Sequence, residues 1–223
     1  MWVKTEPNEH EVALIQQGQK YISKLANIPG VEMIAIVNSL SMYATHPDSD
    51  IDLFIVTRPG MIWFVRFWAT LILWIHGVWR RDRDIAGNLC LSFFITTEAI
   101  DLSQVAIEND IYLYYWIYYM RPIYVQNKTY KQFLAANSWV DVDKERKIKN
   151  QRYLISHGFK FSSSFWEFWE FCRPFNSLIR YFLLPQTQKT YEKLGKPEWV
   201  IISDQILKFH DRDGRIAIRD SLI

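Results

Sequence analysis

Two aspartates, Asp50 and Asp52, stand one residue apart at the head of an apolar run that ends at Val56. In a β-strand alternate side chains point to the same face, so the two carboxylates emerge side by side. They repel each other, and a hard cation such as Mg²⁺ placed between them relieves that repulsion. Metal held in this way is the centre of phosphoryl- and nucleotidyl-transfer sites. The alternative is a strand end that carries two solvated aspartates.

The residues before this pair favour the metal interpretation. Residues 31–37 have the apolar, β-branched character of a strand, and a turn with small polar residues follows at 38–41. A short loop then leads to the strand that carries Asp50 and Asp52. This order of strand, hydroxyl-bearing turn and Asp-x-Asp strand resembles the nucleotidyltransferase superfamily of DNA polymerase beta and its small bacterial and archaeal relatives. Residues 31–57 carry the resemblance.

The resemblance implies a fold, a cofactor and a reaction. The fold is a nucleotidyltransferase-like mixed sheet covered by helices, and the reaction transfers a nucleoside monophosphate from an NTP to an acceptor. The acceptor is undefined and is a protein, an RNA or a small molecule. The matching positions imply that Asp50 and Asp52 bind Mg²⁺ or Mn²⁺ and carry catalysis. The turn residues Asn38, Ser39 and Leu40 bind the nucleotide phosphates. Beyond the matching positions, we expect Arg58 or Arg66 to bind the nucleotide and neutralise developing charge.

Two departures from the family pattern leave other functions open. Asn38 stands where the family normally has glycine, and the candidate third strand, 88–95, contains no Asp or Glu. Cys90 and Ser92 occupy the face where a third carboxylate is expected, with Asp84, Glu98 and Asp101 as substitutes outside the strand. That carboxylate commonly acts as a base, so its loss bears on catalysis more than on nucleotide binding. The alternatives are a catalytically impaired module that binds nucleotide or a partner protein, and a membrane-surface or assembly protein.

Composition narrows the class of protein and its compartment. Lys and Arg total 26 against 24 for Asp and Glu, so the chain lacks the strongly basic balance of a general nucleic-acid binder. Cys90 and Cys172 are its two cysteines, which argues against a disulfide framework. The first residues lack the basic-then-apolar order of a signal peptide. We therefore expect a cytoplasmic protein, with peripheral membrane association as the alternative.

Aromatic residues are abundant and clustered. The chain has 10 Trp, 12 Tyr and 14 Phe, concentrated in 61–79, 111–124 and 159–184. Segment 61–79 is nearly long enough to span a bilayer, but it contains Arg66 and His76, and charged groups are costly at membrane depth. We expect a buried crossover helix that covers the sheet. An exposed apolar face for a partner protein or a membrane surface, and a transmembrane helix, are the alternatives.

The remaining pattern predicts an α/β (α+β) protein with a helical C-terminal part. Helices are expected at 8–25, 110–120 and 128–136, strands at 31–37, 51–56 and 88–96, and a break at Arg121 and Pro122. The charged stretch 141–149 is typical of a solvated linker or helix face. It divides the chain into a nucleotidyltransferase-like domain, residues 1–140, and a helical C-terminal region, residues 141–223.

Two polar features lie outside the motif. In the cluster 208–215, His210 and Asp211 have metal-ligating side chains but no second group spaced to complete a site. We interpret this cluster as the end of a helix near Phe209 followed by a turn, or as a patch that closes over the nucleotide cleft. His46, in the loop before Asp50, is a further candidate for phosphate contact.

Overall fold

One mixed sheet organises the part of the chain that the structure describes. The structure is a computed structural model, and it describes residues 3–80, 85–151, 153–155, 165–209 and 214–221. Within these ranges six strands lie in the order β4-β1-β2-β3-β6-β5. Their bounds are β1 Val31–Ile36, β2 Ile51–Thr57, β3 Leu89–Thr96, β4 Arg121–Val125, β5 Ile201–Ile202 and β6 Ile206–Lys208.

Helices cover both faces of this sheet, which confirms the predicted α/β class. α1, α3 and part of α7 pack on one face, and α4 and α5 pack on the other. The helices are α1 Glu9–Leu25, α2 Asn38–Ser41, α3 Ile62–Ile75, α4 Ile111–Tyr119, α5 Thr129–Ala136, α6 Lys144–Gln151, α7 Phe165–Lys193 and α8 Arg215–Asp220.

The three strands predicted to be neighbours do pair with one another. β1 and β2 are antiparallel, and β2 and β3 are parallel. A parallel pair requires a crossover connection, and α3 supplies it between β2 and β3. Both faces of these strands are covered, which explains why they read as continuous apolar runs and not as an alternating pattern.

The alternation of side chains along β2 decides on which face of the sheet the side chain of Asp52 lies. Leu53 and Ile55 join the core beneath α1 and α3, whereas Phe54 and Val56 join the core beneath α4 and α5. Asp52 is two residues before Phe54, so its side chain belongs to the α4 and α5 face.

The sequence predictions for two segments are wrong. The expected break at Arg121 and Pro122 is the beginning of β4, an edge strand, where proline is tolerated. The expected helix end near Phe209 is instead β6, which pairs with β3 through Ile206 and Ile95. These strands are short, so they give little periodic signal and depend on burial within the sheet. The sheet therefore includes strands from both sides of residue 141.

The aromatic segment 61–79 forms the expected crossover helix, α3, over a shorter span. One side of α3 is buried in the core, including Trp63 and Leu73, while Trp68, Trp74 and Ile75 are exposed. Within the described ranges, no helix has the length and apolar character needed to cross a membrane.

Polar contacts attach α7 to the beginning of α3. Asn176 Oδ1 accepts hydrogen bonds from the backbone N–H groups of Trp63 and Phe64, each at 3.0 Å. The first N–H groups of a helix have no partner within the helix, so a side chain from α7 takes the place of a local cap. Asp204 adds a second connection, accepting from Trp63 Nε1 at 3.0 Å and from Arg180 Nε at 2.6 Å.

We expect Asn176→Ala to lower the free energy of unfolding by about 1–2 kcal/mol, because two buried donors at the beginning of α3 lose their acceptor. Asn176→Asp keeps an acceptor and places negative charge at a helix N-terminus, so it should retain most of the stability. Urea unfolding of both variants measures the difference. Equal losses for Ala and Asp would contradict the capping role.

A buried carboxylate, Glu11, positions the loop that leads to Asp50. It forms the N-terminal cap of α1 together with Asn8, and it accepts hydrogen bonds from the Thr45 backbone N–H at 3.3 Å and from the Thr45 hydroxyl at 3.1 Å. Lys4 lies 3.2 Å from the same oxygen. Burial alone would raise the pKa of Glu11, but the hydrogen bonds from Asn8, Thr45 and Lys4 outweigh it and lower the pKa.

A depressed pKa in the folded state means that Glu11 stabilises the fold above its unfolded pKa, and that this contribution is lost as the pH falls through the folded value. We expect Glu11→Gln to cost about 1–3 kcal/mol at pH 7, and this cost should shrink toward pH 4. Denaturant unfolding of the two proteins at both pH values tests this. A pH-independent difference would show that the charge is not involved.

Candidate metal and nucleotide site

Asp50, Asp52 and Cys90 converge at one end of the central strands. Each offers one ligand atom, and these three atoms lie within 4.8 Å of one another. The parallel pairing of β2 with β3 places Asp52 directly opposite Cys90. The structure thus brings the predicted aspartates together and adds a thiol from the neighbouring strand.

A β-bulge sets the direction of Cys90. Three residue steps on β3, from Cys90 to Phe93, match two steps on β2, from Asp52 to Phe54. This extra residue lets Cys90 and Phe93 both face the side occupied by Asp52 and Phe54, although strict alternation would separate them. Bulges occur next to active sites, where they redirect a side chain.

The pKa of Asp52 is raised to about 6, first by burial and second by the charge of Asp50. Hydrogen bonds from Asn38 and Cys90 and the charge of Arg80 act in the opposite direction. Two adjacent carboxylates therefore resist joint ionisation, and a divalent cation would favour it.

Arg80 is a site residue that the sequence did not indicate. Its Nε atom lies 3.0 Å from Asp50 Oδ2, and its Nη1 atom lies 3.5 Å from Cys90 Sγ. Arg80 comes directly after Trp79, which forms an isolated β-bridge to Leu89 at the beginning of β3. One guanidinium therefore contacts both strands of the site and compensates part of the charge of Asp50.

The residues predicted to bind phosphate form the short helix α2. Asn38 has a φ of 56°, a left-handed conformation that asparagine tolerates better than most residues, so it can replace the glycine of the family pattern there. Its side chain contacts Asp52, and its Oδ1 atom accepts a hydrogen bond from Tyr112 at 3.0 Å. Asn38 thus links the turn, the aspartate pair and α4.

The other two turn residues differ in what they can offer. Ser39 is partly exposed, and its backbone carbonyl accepts from the N–H groups of Met42 and Ala44. Leu40 is buried in the core, so its side chain cannot contact a ligand and only its backbone is available. Of the two, only Ser39 presents a polar side chain.

The thiol of Cys90 is neutral at ordinary pH. Burial and, next, the charge of Asp52 raise its pKa, while a hydrogen bond with Ser92 acts the other way. A neutral thiol is neither a good ligand for Mg²⁺ nor an effective general base. The position that would hold a third carboxylate is therefore chemically different from the family pattern.

The substitute carboxylates do not complete the site within the described ranges. Glu98 and Asp101 follow the far end of β3, about 20 Å along the strand direction from Cys90. Asp84, His210 and Asp211 lie outside the described residues. In the parts of the chain that are described, Cys90 alone completes a three-residue cluster with the aspartate pair.

Three residues that were predicted to contact the nucleotide, two arginines and a histidine, lie away from the aspartate pair. Arg58 forms an ion pair with Glu32 at the opposite end of β2, about 20 Å from Asp52. Arg66 lies on α3, on the other face of the sheet, and stacks on Phe209 with 4.0 Å from its Cζ atom to the ring centroid. His46 is exposed, and its backbone exchanges hydrogen bonds with Ser49.

A cavity of about 190 Å³ adjoins the site. Asn38 belongs to both, since it contacts Asp52 and also lines the cavity. Lys208 lies opposite Phe93 in the pairing of β3 with β6, so both side chains share this face of the sheet. Lys208 and Arg215 belong to the cluster 208–215, for which a patch over the nucleotide cleft was one of the two interpretations, although strand β6 was not predicted. Its walls include Phe93, Tyr112, Trp116, Lys208 and Arg215.

Arg215 at this cavity forms an ion pair with Asp110, the N-cap of α4, at 2.7 Å.

Comparison with known proteins finds no matching family model, no similar curated protein and no similar solved structure.

Proposed function

We propose that this protein is a Mg²⁺-dependent nucleotidyltransferase that moves a nucleoside monophosphate from an NTP to an acceptor. The observation that carries the proposal is the contact between Asn38 and Asp52. It joins an Asp-x-Asp pair at the head of a strand to the turn after the preceding strand, which is the arrangement implied by the sequence resemblance.

The residues at the site fit a hard divalent cation. Asp50 and Asp52 supply carboxylate oxygens, and the pKa of Asp52 is raised first by burial and then by the charge of Asp50, a repulsion that a cation would relieve. Mg²⁺ is commonly held by one or two carboxylates together with water and substrate phosphate, so two aspartates are sufficient. When bound, the metal would neutralise phosphate charge and polarise the phosphorus that is attacked.

The chain itself contributes orientation and binding. Asn38 donates to Asp52 and Arg80 contacts Asp50, so each carboxylate is held by a separate neighbour. The adjoining cavity has aromatic walls, including Tyr112 and Trp116, that suit a planar base, and its cations suit phosphate. At about 190 Å³ the cavity is too small for a whole NTP, so it would hold and align one part of the nucleotide beside the aspartate pair.

A second candidate function is a nucleotide-binding module without transfer activity. Cys90 favours it, because a neutral thiol at the third position cannot replace a carboxylate base. Both candidates need the same metal and nucleotide contacts, and they differ only in whether an acceptor is activated.

We expect NTP to bind more tightly with Mg²⁺ or Mn²⁺ than without, since substrate phosphates complete the coordination of the metal. Asp52→Asn should abolish the gain and weaken NTP binding with metal by about tenfold or more. Isothermal titration calorimetry measures both effects, with Asp101→Asn, at the far end of β3, as a charge-matched control. Equal affinity with and without metal, unchanged by Asp52→Asn, would remove the proposed site.

Transfer is tested separately with α-³²P-labelled NTPs and protein, RNA and small-molecule fractions as acceptors. Label that moves to one fraction with the native protein and not with Asp52→Asn supports the transferase. Metal-dependent NTP binding without any labelled product supports the binding module.

Cys90→Asp should restore an oxygen ligand at the third position. Without metal, three adjacent carboxylates should lower the melting temperature, and Mn²⁺ should raise it by more than it raises that of the native protein. Cys90→Ser, which adds no charge, is the matched control. Thermal denaturation with EDTA and with Mn²⁺ gives the comparison, and an identical response of all three proteins would exclude a metal beside residue 90.

A further inference from the structure

A second cavity, of about 570 Å³, lies between α3 and α7, on the other face of the sheet from Asp52. Its size is within the range of small-molecule pockets. Trp74 at its wall is exposed, whereas Thr187 is buried, so the cavity extends from the surface into the interior. No part of the proposed transfer reaction uses it.

Arg66, which is partly buried, gives this cavity a positive charge. Its guanidinium lies against the ring of Phe209, and its Nη1 atom is buried without a hydrogen-bond acceptor among the described residues. Desolvation by burial lowers the pKa of Arg66 to about 10, which is too high for the group to become neutral at physiological pH. A buried guanidinium nitrogen without an acceptor is costly, and such a group needs an explanation in a folded protein.

The rest of the wall is mainly apolar. Phe67, Leu71, Trp79 and Leu183 contribute hydrocarbon and aromatic surface. An apolar cavity with one fixed charge selects ligands by pairing that charge and burying an apolar body. The charge here is positive and is a guanidinium, which matches carboxylate and phosphate geometry.

The path of α7 leaves room for this cavity. α7 is fastened to α3 near its middle, through Asn176 and Arg180, and the cavity lies beyond that point, toward the end of α7. Pro185 lies inside the helix beside the cavity, where it cannot donate a backbone hydrogen bond.

We propose that the cavity between α3 and α7 binds an amphipathic anion, a carboxylate or phosphate carried on an apolar body, with Arg66 pairing the anionic head. The ligand would supply the missing acceptor for Arg66 and fill the apolar wall. This proposal is independent of the transferase and of the aspartate pair.

The test uses monomeric decanoate and decyl phosphate as probes, with decanol as the uncharged counterpart. Calorimetry and tryptophan fluorescence measure binding, since Trp74 and Trp79 line the cavity. We expect the anions to bind at least tenfold more tightly than decanol. Arg66→Met should remove this preference, and Arg219→Met, on α8, should leave it unchanged.

A second variant and a stability measurement separate binding from folding. Thr70→Phe fills the cavity while keeping Arg66, and it should weaken binding of both anions. Without probe, Arg66→Met should melt no lower than the native protein, because it removes a partly buried cation whose Nη1 atom has no acceptor among the described residues. Equal binding of decanol and the anions, or unchanged binding in both Arg66→Met and Thr70→Phe, would overturn the proposal.

The two sources of such an anion are distinguished by sedimentation with vesicles that contain phosphatidylglycerol. Binding of monomeric probes without vesicle binding identifies a free amphiphile. Vesicle binding that depends on Arg66, without monomer binding, identifies a membrane lipid. If Arg66→Met keeps both monomer binding and vesicle binding, the proposed role of this residue is contradicted.

Discussion

The parallel pairing of β2 with β3 is the constraint on which the rest of the structure depends. It places Asp52 opposite Cys90 and requires a crossover, which α3 provides with a largely apolar helix. The same crossover brings the chain back through Trp79 and Arg80 to the head of β3, where Arg80 reaches Asp50. The packing of α3 and the electrostatics of the aspartate pair are thus two results of one strand arrangement.

Charge balance at this end of the sheet is shared among distant parts of the sequence. Asp50 is held by Arg80, and Asp52 is held by Asn38, which Tyr112 holds in turn. Residues from the turn after β1, the segment after α3 and helix α4 therefore act on two carboxylates. A change in any of these elements would alter the geometry of the aspartate pair, even though neither aspartate belongs to them.

The sequence predicted the central elements well, because they are long and buried. The strands around residues 34, 54 and 92 and the helix after Gly60 follow from apolar runs and local turn chemistry. β4 and β6 were missed because they have five and three residues, too few to show a period, and are stabilised by their neighbours.

Only the residues of the candidate site that are close together in the sequence could be predicted. Asp50, Asp52 and Asn38 belong to one short motif, whereas Arg80 and Lys208 arrive through strand pairing that no local pattern encodes. Arg58 was assigned to the site from its position next to β2, but the strand carries it to the opposite end of the sheet. The bulge that turns Cys90 toward Asp52 also depends on pairing and has no sequence signal of its own.

The two edges of the sheet have a consequence for how this protein can associate. β5 has only two residues, and β4 carries Pro122 and is partly covered by a hydrogen bond of 2.8 Å from Ile155 N–H to the Ile123 carbonyl. Short, proline-bearing or covered edges are poor templates for an additional strand. Addition of a further strand at either edge of the described sheet is therefore disfavoured.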